Sequence, residues 1–200
     1  MNRVVIASNN PGKLRELSAL LKPLGIEAIP QSQFAVTEAE EPHFTFLENA
    51  LAKARHAARA TGLAALADDS GLCVPALRGE PGVQSAHYAG KEGSREERDA
   101  RNNAKLVERL RAAGDRSAFY YCVLVLARSQ DDPTPIVADG TWHGEIVIEP
   151  RGRNGFGYDP HFLVAGGALT AAELPAGAKN RVSHRGKALA ALAAKLSAGA

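Results

Sequence analysis

The sequence predicts an α/β fold built on a mixed β-sheet, and three observations carry that reading. Short β-branched and apolar runs alternate with segments whose leucines and alanines recur at helical spacing. Several strands in the middle of the chain follow one another too closely for helical crossovers, so part of the sheet is antiparallel. No repeat, coiled coil or low-complexity linker interrupts the 200 residues. That length suits one domain, or two small lobes sharing a sheet, and suffices to bury a core.

Val4-Val5-Ile6-Ala7 reads as a buried first strand, and Leu14, Leu17, Leu20, Leu21 and Leu24 follow on a helical face. Ile26 to Ile29 reads as a second strand. Thr45-Phe46-Leu47-Glu48 fits a capping box, opening a helix whose Leu47, Ala50, Leu51, Ala54 and Ala58 share one face. Ala64 to Ala67 forms a strand closed by Asp68-Asp69-Ser70-Gly71, after which Leu72-Cys73-Val74 resumes the apolar character. A glycine- and proline-rich stretch from Pro75 to Gly93 leads to a second capping box, Ser94-Arg95-Glu96-Glu97. Its helix reaches Ala113 with Leu106, Val107 and Leu110 as the apolar stripe. Phe119 to Ala127 is a continuous apolar run, a central strand. Ile136-Val137-Ala138 and Glu145-Ile146-Val147-Ile148 read as two further strands. Leu163-Val164 ends another, past the glycine-rich turn from Asn154 to Pro160, and Ser183 to Leu196 forms the last helix.

Composition excludes several classes of function. A net charge of +2 is too mild to imply a nucleic-acid partner, and no separate basic tail exists. No apolar stretch reaches the length of a membrane span and the first residues lack an apolar export segment, so neither membrane insertion nor export is expected. The two cysteines, Cys73 and Cys122, lie inside apolar runs. They read as buried small hydrophobes in a reducing cytoplasm rather than as a disulfide framework.

Four clusters carry chemistry. Ser8-Asn9-Asn10-Pro11-Gly12-Lys13 stands where the first strand ends and the first helix begins. Backbone N–H groups and the positive end of the helix dipole meet there, with the Lys13 charge added and Gly12 allowing close approach. That is the chemistry of a phosphate cradle, although the Walker A spacing is absent. Glu38, Glu40 and Glu41 precede Pro42, and Asp68-Asp69 lies downstream. Carboxylates from separate segments suit a hard cation such as Mg²⁺. Alone, the glutamate run is an ordinary solvated loop. Two adjacent aspartates between apolar segments must face a cleft or a cation, and alternation along an extended chain aims one of them at a metal.

In Asn154-Gly155-Phe156-Gly157-Tyr158-Asp159-Pro160, two glycines free the backbone to present Phe156 to a flat ring; a tight turn with a core phenylalanine is the plain alternative. Lys179 and Ser183-His184-Arg185-Gly186 lead into the last helix. Cations in a first helical turn oppose the dipole unless something anionic or carbonyl-like binds there. The helix from Arg95 to Arg111, laced with arginine and glutamate, reads as a solvated face without function.

Taken together, these motifs resemble the inosine/xanthosine triphosphate pyrophosphatase family. Ser8-x-Asn10-x-x-Lys13, Glu41 before Thr45-Phe46-x-Glu48-Asn49-Ala50, and Ala67-Asp68-Asp69-Ser70-Gly71-Leu72 stand in family order. Pro81-Gly82-Val83-x-Ser85-Ala86, Gly155-Phe156-Gly157-Tyr158-Asp159-Pro160 and Ser183-His184-Arg185-Gly186 complete the set. The resemblance spans the chain from Val4 to the last helix. It implies one domain over residues 1–200, with a long twisted mixed β-sheet flanked by helices and two lobes with an active-site cleft between them. It implies a cytoplasmic homodimer that uses Mg²⁺ to hydrolyse ITP, dITP or XTP to the monophosphate and pyrophosphate.

Residue by residue, the resemblance implies Asp69 as catalytic base, and Glu41 and Asp69 as metal ligands. Ser8, Asn9, Asn10, Pro11, Gly12 and Lys13 would hold the polyphosphate, and Ser70 would help. Phe156 would stack on the purine while Gly157, Tyr158 and Asp159 shape its pocket. Lys179, His184 and Arg185 would face the base and phosphates. A 6-oxo purine offers an acceptor to Arg185, whereas adenine offers a donor, a polar mismatch able to reject by about 10⁴-fold. Two rivals stand beside this reading. A Maf-like pyrophosphatase shares the architecture but carries an arginine-rich turn where Pro11-Gly12-Lys13 stands here. A non-catalytic nucleotide-binding module leaves the paired carboxylate clusters without a purpose.

Overall fold

The first strand, β1 (Arg3–Ile6), sits in a computed structural model that describes residues 2–198. Val4, Val5 and Ile6 are fully buried, which fits a β-branched run covered on both faces. α1 (Pro11–Leu21) follows, with proline at its first turn where the missing N–H does no harm. β2 (Glu27–Pro30) lies parallel to β1, Val5 facing Ile29. α2 (Phe46–Thr61) then crosses over to β3 (Ala65–Cys73), also parallel to β1. Thr45 caps α2 by accepting from Glu48 N–H at 3.2 Å, as the capping box predicts. The buried face of α2, however, is Asn49, Ala50, Lys53, Ala54, Ala57 and Ala58. Leu47 lies off that stripe and is half-exposed.

α3 (Arg95–Leu110) opens with a complete Ser94–Glu97 capping box and stops short of Ala113. β4 (Ser117–Ala127), β5 (Ile136–Ile146) and β6 (Phe162–Val164) follow, then α4 (Ala176–Val182) and α5 (His184–Ala198). The six strands form one mixed sheet in the order β2-β1-β3-β4-β5-β6, with β5 and β6 antiparallel.

Three expectations need correction. Asp68-Asp69 does not close a strand: β3 runs straight through the pair to Cys73, because both carboxylates find charged partners that let the ladder continue. The two strands expected around Ile136 and Glu145 are one, β5, whose intervening polar residues alternate with the buried Ala138, Gly140 and Trp142. α4 was not expected, since seven residues are too few to show a helical period.

The chain forms two compact units. One comprises Met1–Asp69, Cys122–Gly140 and His184–Ala200; the other comprises Ser70–Tyr121 and Thr141–Ser183. The first has a core of Val4, Ile6, Leu17, Leu21, Leu66, Leu124, Leu126, Leu189 and Leu192, with Cys122 among them. α5 packs so tightly on β5 that a Cβ at Gly140 would stand 2.3 Å from the His184 carbonyl oxygen. The second core gathers Leu72, Leu106, Leu110, Tyr120, Trp142, Ile146 and Phe162. Its aromatic centre sets the Tyr120 and Phe162 rings 4.7 Å apart and Trp142 5.2 Å from Phe162. Both cysteines are buried and free, and burial pushes the Cys73 thiol up to about 11.

Candidate active site

The turn after β1 is built by Asn10. As N-cap of α1, its Oδ1 accepts from Gly12 N–H at 2.9 Å and Lys13 N–H at 3.2 Å, while Ser8 Oγ accepts from Asn10 N–H at 3.2 Å. Pro11 has no N–H, and Leu14 N–H donates to the Asn10 carbonyl. The helix N-terminus read as an open backbone cradle is thus capped from within the chain. Asn9 Oδ1 accepts from the buried Gln31 at 3.1 Å, and Lys13 reaches past the turn to Asp68, Nζ to Oδ1 at 2.5 Å.

Asp68 and Asp69 lie side by side on β3 with different partners. Asp68 receives Lys13 on one oxygen, and on the other both Arg185 Nε at 3.0 Å and the Cys122 thiol at 3.2 Å. Arg185, 2% exposed in the first turn of α5, also pairs through Nη1 with Glu16 of α1. The anion that these first-turn cations of α5 demand is therefore supplied by the protein itself. His184 beside it is buried.

Asp69 faces Lys53, whose ammonium lies 3.0 Å from Asp69 Oδ1 and 3.2 Å from Glu41 Oε1. Glu38 and Glu40 are exposed; among the described residues Glu41 is the acid of that run with an ion pair into the site. Ser70 follows on β3, half-buried.

The two aspartates are driven apart electrostatically. Burial acts to raise Asp68, but Arg185 and Lys13 outweigh it and hold its carboxyl well below the usual carboxylate range. Burial dominates at Asp69, raising its carboxyl despite Lys53 and Lys13, with the Glu41 charge adding to the rise. Burial opposes the Lys53 cation too, yet Asp69 and Glu41 more than offset it and keep the ammonium charged. One aspartate is a fixed anion. Its neighbour is a carboxylate poised to take a proton.

Asp69 Oδ2 is buried and, among the described residues, accepts no hydrogen bond. With Glu41 it forms a two-carboxylate oxygen donor set around the point that Lys53 now occupies. That set fits Mg²⁺, which is held by one or two carboxylates together with water and substrate phosphate oxygens. Among the described residues no group of three or more His, Cys, Asp or Glu side chains gathers.

In the other unit, Gly155-Phe156-Gly157-Tyr158-Asp159 is wound about Asp159. Asp159 Oδ2 accepts from Phe156 N–H at 2.8 Å and from Lys179 Nζ at 2.6 Å, and Oδ1 accepts from the Tyr120 hydroxyl at 3.3 Å. Gly155, at φ +77°, leaves room for that carboxylate; a Cβ would lie 1.9 Å from it. The Tyr158 hydroxyl turns inward to the Ser85 carbonyl at 2.9 Å, and burial raises it. Gly157 N–H donates to Asp99 and its carbonyl accepts from Asn103 at 2.9 Å. Arg95 lies over the Phe156 ring, its guanidinium carbon 4.6 Å from the centroid, and Lys179 Nζ lies 5.1 Å from the same centroid. The reading of α3 as a bare solvated face is corrected here: Arg95, Asp99 and Asn103 hold this turn.

Lys53 was the main residue missed. A lysine flanked by Asn49, Ala50, Ala54 and Ala57 on the buried stripe of α2 was its signal, because a cation on an apolar face needs a carboxylate partner. Glu16 and Cys122 gave no such sign, since only the tertiary fold brings them to Arg185 and Asp68.

The fold defines the class, a mixed α/β protein with paired aspartates on a central strand and an aromatic turn held by a helix face. The chain belongs to the Ham1 family, whose sequence pattern matches residues 4–195. It is 64% identical over 195 residues to the dITP/XTP pyrophosphatase of Burkholderia pseudomallei (strain K96243), covering 98% of this chain and 93% of that one. It is 63% identical over 197 residues to the dITP/XTP pyrophosphatase of Nitrosomonas europaea, covering 98% and 95%. Among solved structures, a HAM1 protein from Coxiella burnetii matches with a TM-score of 0.89 at 50% identity, covering 99% of this chain and all of that one.

Proposed function

We propose that this chain hydrolyses noncanonical purine nucleoside triphosphates (ITP, dITP and XTP) to the monophosphate and pyrophosphate. The observation that carries the proposal is the division between Asp68 and Asp69. Asp69, raised by burial and with Oδ2 accepting no hydrogen bond among the described residues, takes the proton of the attacking water. The water oxygen bonds to the α-phosphorus as the α–β bridging bond breaks, and pyrophosphate leaves. Lys53 and Lys13 set positive charge against the phosphates. Asp68, locked by Arg185, aims the Lys13 ammonium. Glu41 and Asp69 would hold Mg²⁺, which supplies Lewis-acid neutralisation of phosphate charge. Relatives named dITP/XTP pyrophosphatase at 64% and 63% identity support the substrate class.

The base end belongs to Phe156 as the stacking surface, with Gly157, Tyr158, Asp159 and Lys179 around it. Ser8, Asn9, Asn10, Ser70 and His184 join the substrate contacts that the family resemblance implies. Arg185, whose Nε and Nη1 pair with carboxylates, belongs to the same set of implied substrate contacts. A cleft between two lobes, assembly as a homodimer and a cytoplasmic location belong to the same proposal. Among the described residues no helix is long and apolar enough to cross a membrane.

A nucleotide panel assayed with and without Mg²⁺, reading pyrophosphate and orthophosphate separately, tests the proposal. The expected result is pyrophosphate from ITP, dITP and XTP, far exceeding that from ATP. Orthophosphate as the first product, or binding without turnover, contradicts it.

A further inference from the structure

Glu41 lies on an irregular segment, residues 36–43, and the chain from 40 to 45 is exposed, Phe44 at 93%. Core packing therefore does not fix the chain around that carboxylate. What holds it is a seam of polar side chains on α2. Asn49, Lys53 and His56 stand at i, i+4 and i+7, on one face of that helix. Asn49, 1% exposed, grips the backbone of His43 twice: its Oδ1 accepts from His43 N–H at 3.1 Å and its Nδ2 donates to the His43 carbonyl at 3.2 Å. Lys53 meets the Glu41 carboxylate at 3.2 Å, and His56 Nε2 donates to the Thr37 carbonyl at 2.9 Å.

These ties differ in how they answer a divalent cation. Lys53 sits between Glu41 and Asp69, so its bond to Glu41 competes with a metal for the same carboxylate. The Asn49 pair is neutral and made to backbone, so it persists when a cation binds. Pro42 alone separates Glu41 from His43. Its ring fixes its own φ and restricts the backbone of the residue before it, so the link from the clamp to the carboxylate is stiff. We infer that Asn49 is a positioning residue for the divalent-metal site: by clamping His43 across the Glu41-Pro42 link, it places the Glu41 carboxylate opposite Asp69. This rests on the proposed metal role of Glu41 and deepens it.

The test is Mn²⁺ binding to the protein, read from the electron paramagnetic resonance signal of free Mn²⁺. The parent, Asn49→Ala, Asn49→Ser, Glu41→Gln and the double variant Asn49→Ala with Glu41→Gln are titrated, and a thermal melt checks the fold of each. Neither alanine nor serine can make both bonds to His43. Each should raise the Mn²⁺ dissociation constant by about tenfold, the low end for a group that orients a metal ligand. In the Glu41→Gln background Asn49→Ala should cost nothing further, because a residue acting through Glu41 has no effect once that carboxylate is gone. Hydrolysis of ITP should need more Mg²⁺ for half-maximal turnover, with kcat at saturating Mg²⁺ close to the parent's. Parent-like Mn²⁺ binding in either folded Asn49 variant overturns the inference, as does a loss that persists in full beside Glu41→Gln. Failure of both Asn49 variants to fold also overturns it, by assigning Asn49 to the core. A parent that binds no Mn²⁺ contradicts the metal role of Glu41 itself, and the inference falls with it.

Discussion

Arg185 Nε donates to Asp68 Oδ2 at 3.0 Å, with both side chains almost wholly inaccessible. A buried ion pair of this kind is unforgiving when one partner is lost, because the other is left charged in a poor solvent. Asp68→Asn should therefore destabilise the protein by about 3–5 kcal/mol, visible as a lower midpoint in urea. A midpoint near the parent value would mean that Lys13, Arg185 and the Cys122 thiol need no anion at Asp68.

The two-carboxylate site makes a metal prediction. Lys53 supplies one positive charge between Glu41 and Asp69, and a triphosphate adds four negative charges that a single ammonium does not balance. Hydrolysis should vanish in excess chelator and return on adding Mg²⁺. Undiminished turnover in EDTA would sink the metal roles of Glu41 and Asp69.

Stacking is indifferent to the sugar and to small changes on the purine. Phe156→Ala should therefore weaken ITP and dITP together, by about 1–3 kcal/mol in kcat/KM. The loss should reside in KM, since the contact proposed for the ring is with the base rather than with the reacting phosphorus. If kcat falls while KM holds, Phe156 is a core residue of its turn.

Away from the site, Asp132 gives a pH signature. It is 4% exposed and accepts from Arg128 Nε at 2.8 Å, Arg128 Nη2 at 2.8 Å, Arg128 N–H at 2.9 Å and Thr134 N–H at 3.0 Å. The Arg128 side-chain bonds, foremost, hold its carboxyl below the usual range. A depressed carboxylate contributes stability above the unfolded value of about 3.9, and that stability fades as pH falls below it. Asp132→Asn should lower the melting temperature at neutral pH, by the equivalent of about 1–2 kcal/mol since Arg128 is half-exposed. The gap from the parent should narrow by about pH 3. A gap of the same size at both pH values would rule out an electrostatic origin.

Much of this was legible in the sequence. β-Branched runs and two capping boxes mark β1, α2 and α3 because those signals are local. Asp68-Asp69 stood out because charge between apolar segments demands partners. The identity of those partners was not legible: Lys13, Lys53, Arg185 with its partner Glu16, and Cys122 come from four elements, α1, α2, β4 and α5, and their convergence is tertiary. The same holds for α3. Its arginine-rich surface looked merely solvated until the fold set Arg95 on Phe156. β5 was split in two because charged side chains alternate with its buried ones, and sheet pairing overrode that weak local pattern.

The most direct measurement of the central claim is the turnover of Asp69→Asn on ITP, taken alongside its thermal melt. Amide for carboxylate keeps the shape, removes the proton acceptor, and relieves the burial of a charge that raises Asp69 in the parent. The expected result is a fall in kcat of at least about 10²-fold, with a melting temperature equal to or above the parent's. Near-parent turnover would contradict the assignment of Asp69 as the base and shift it to another group at this site.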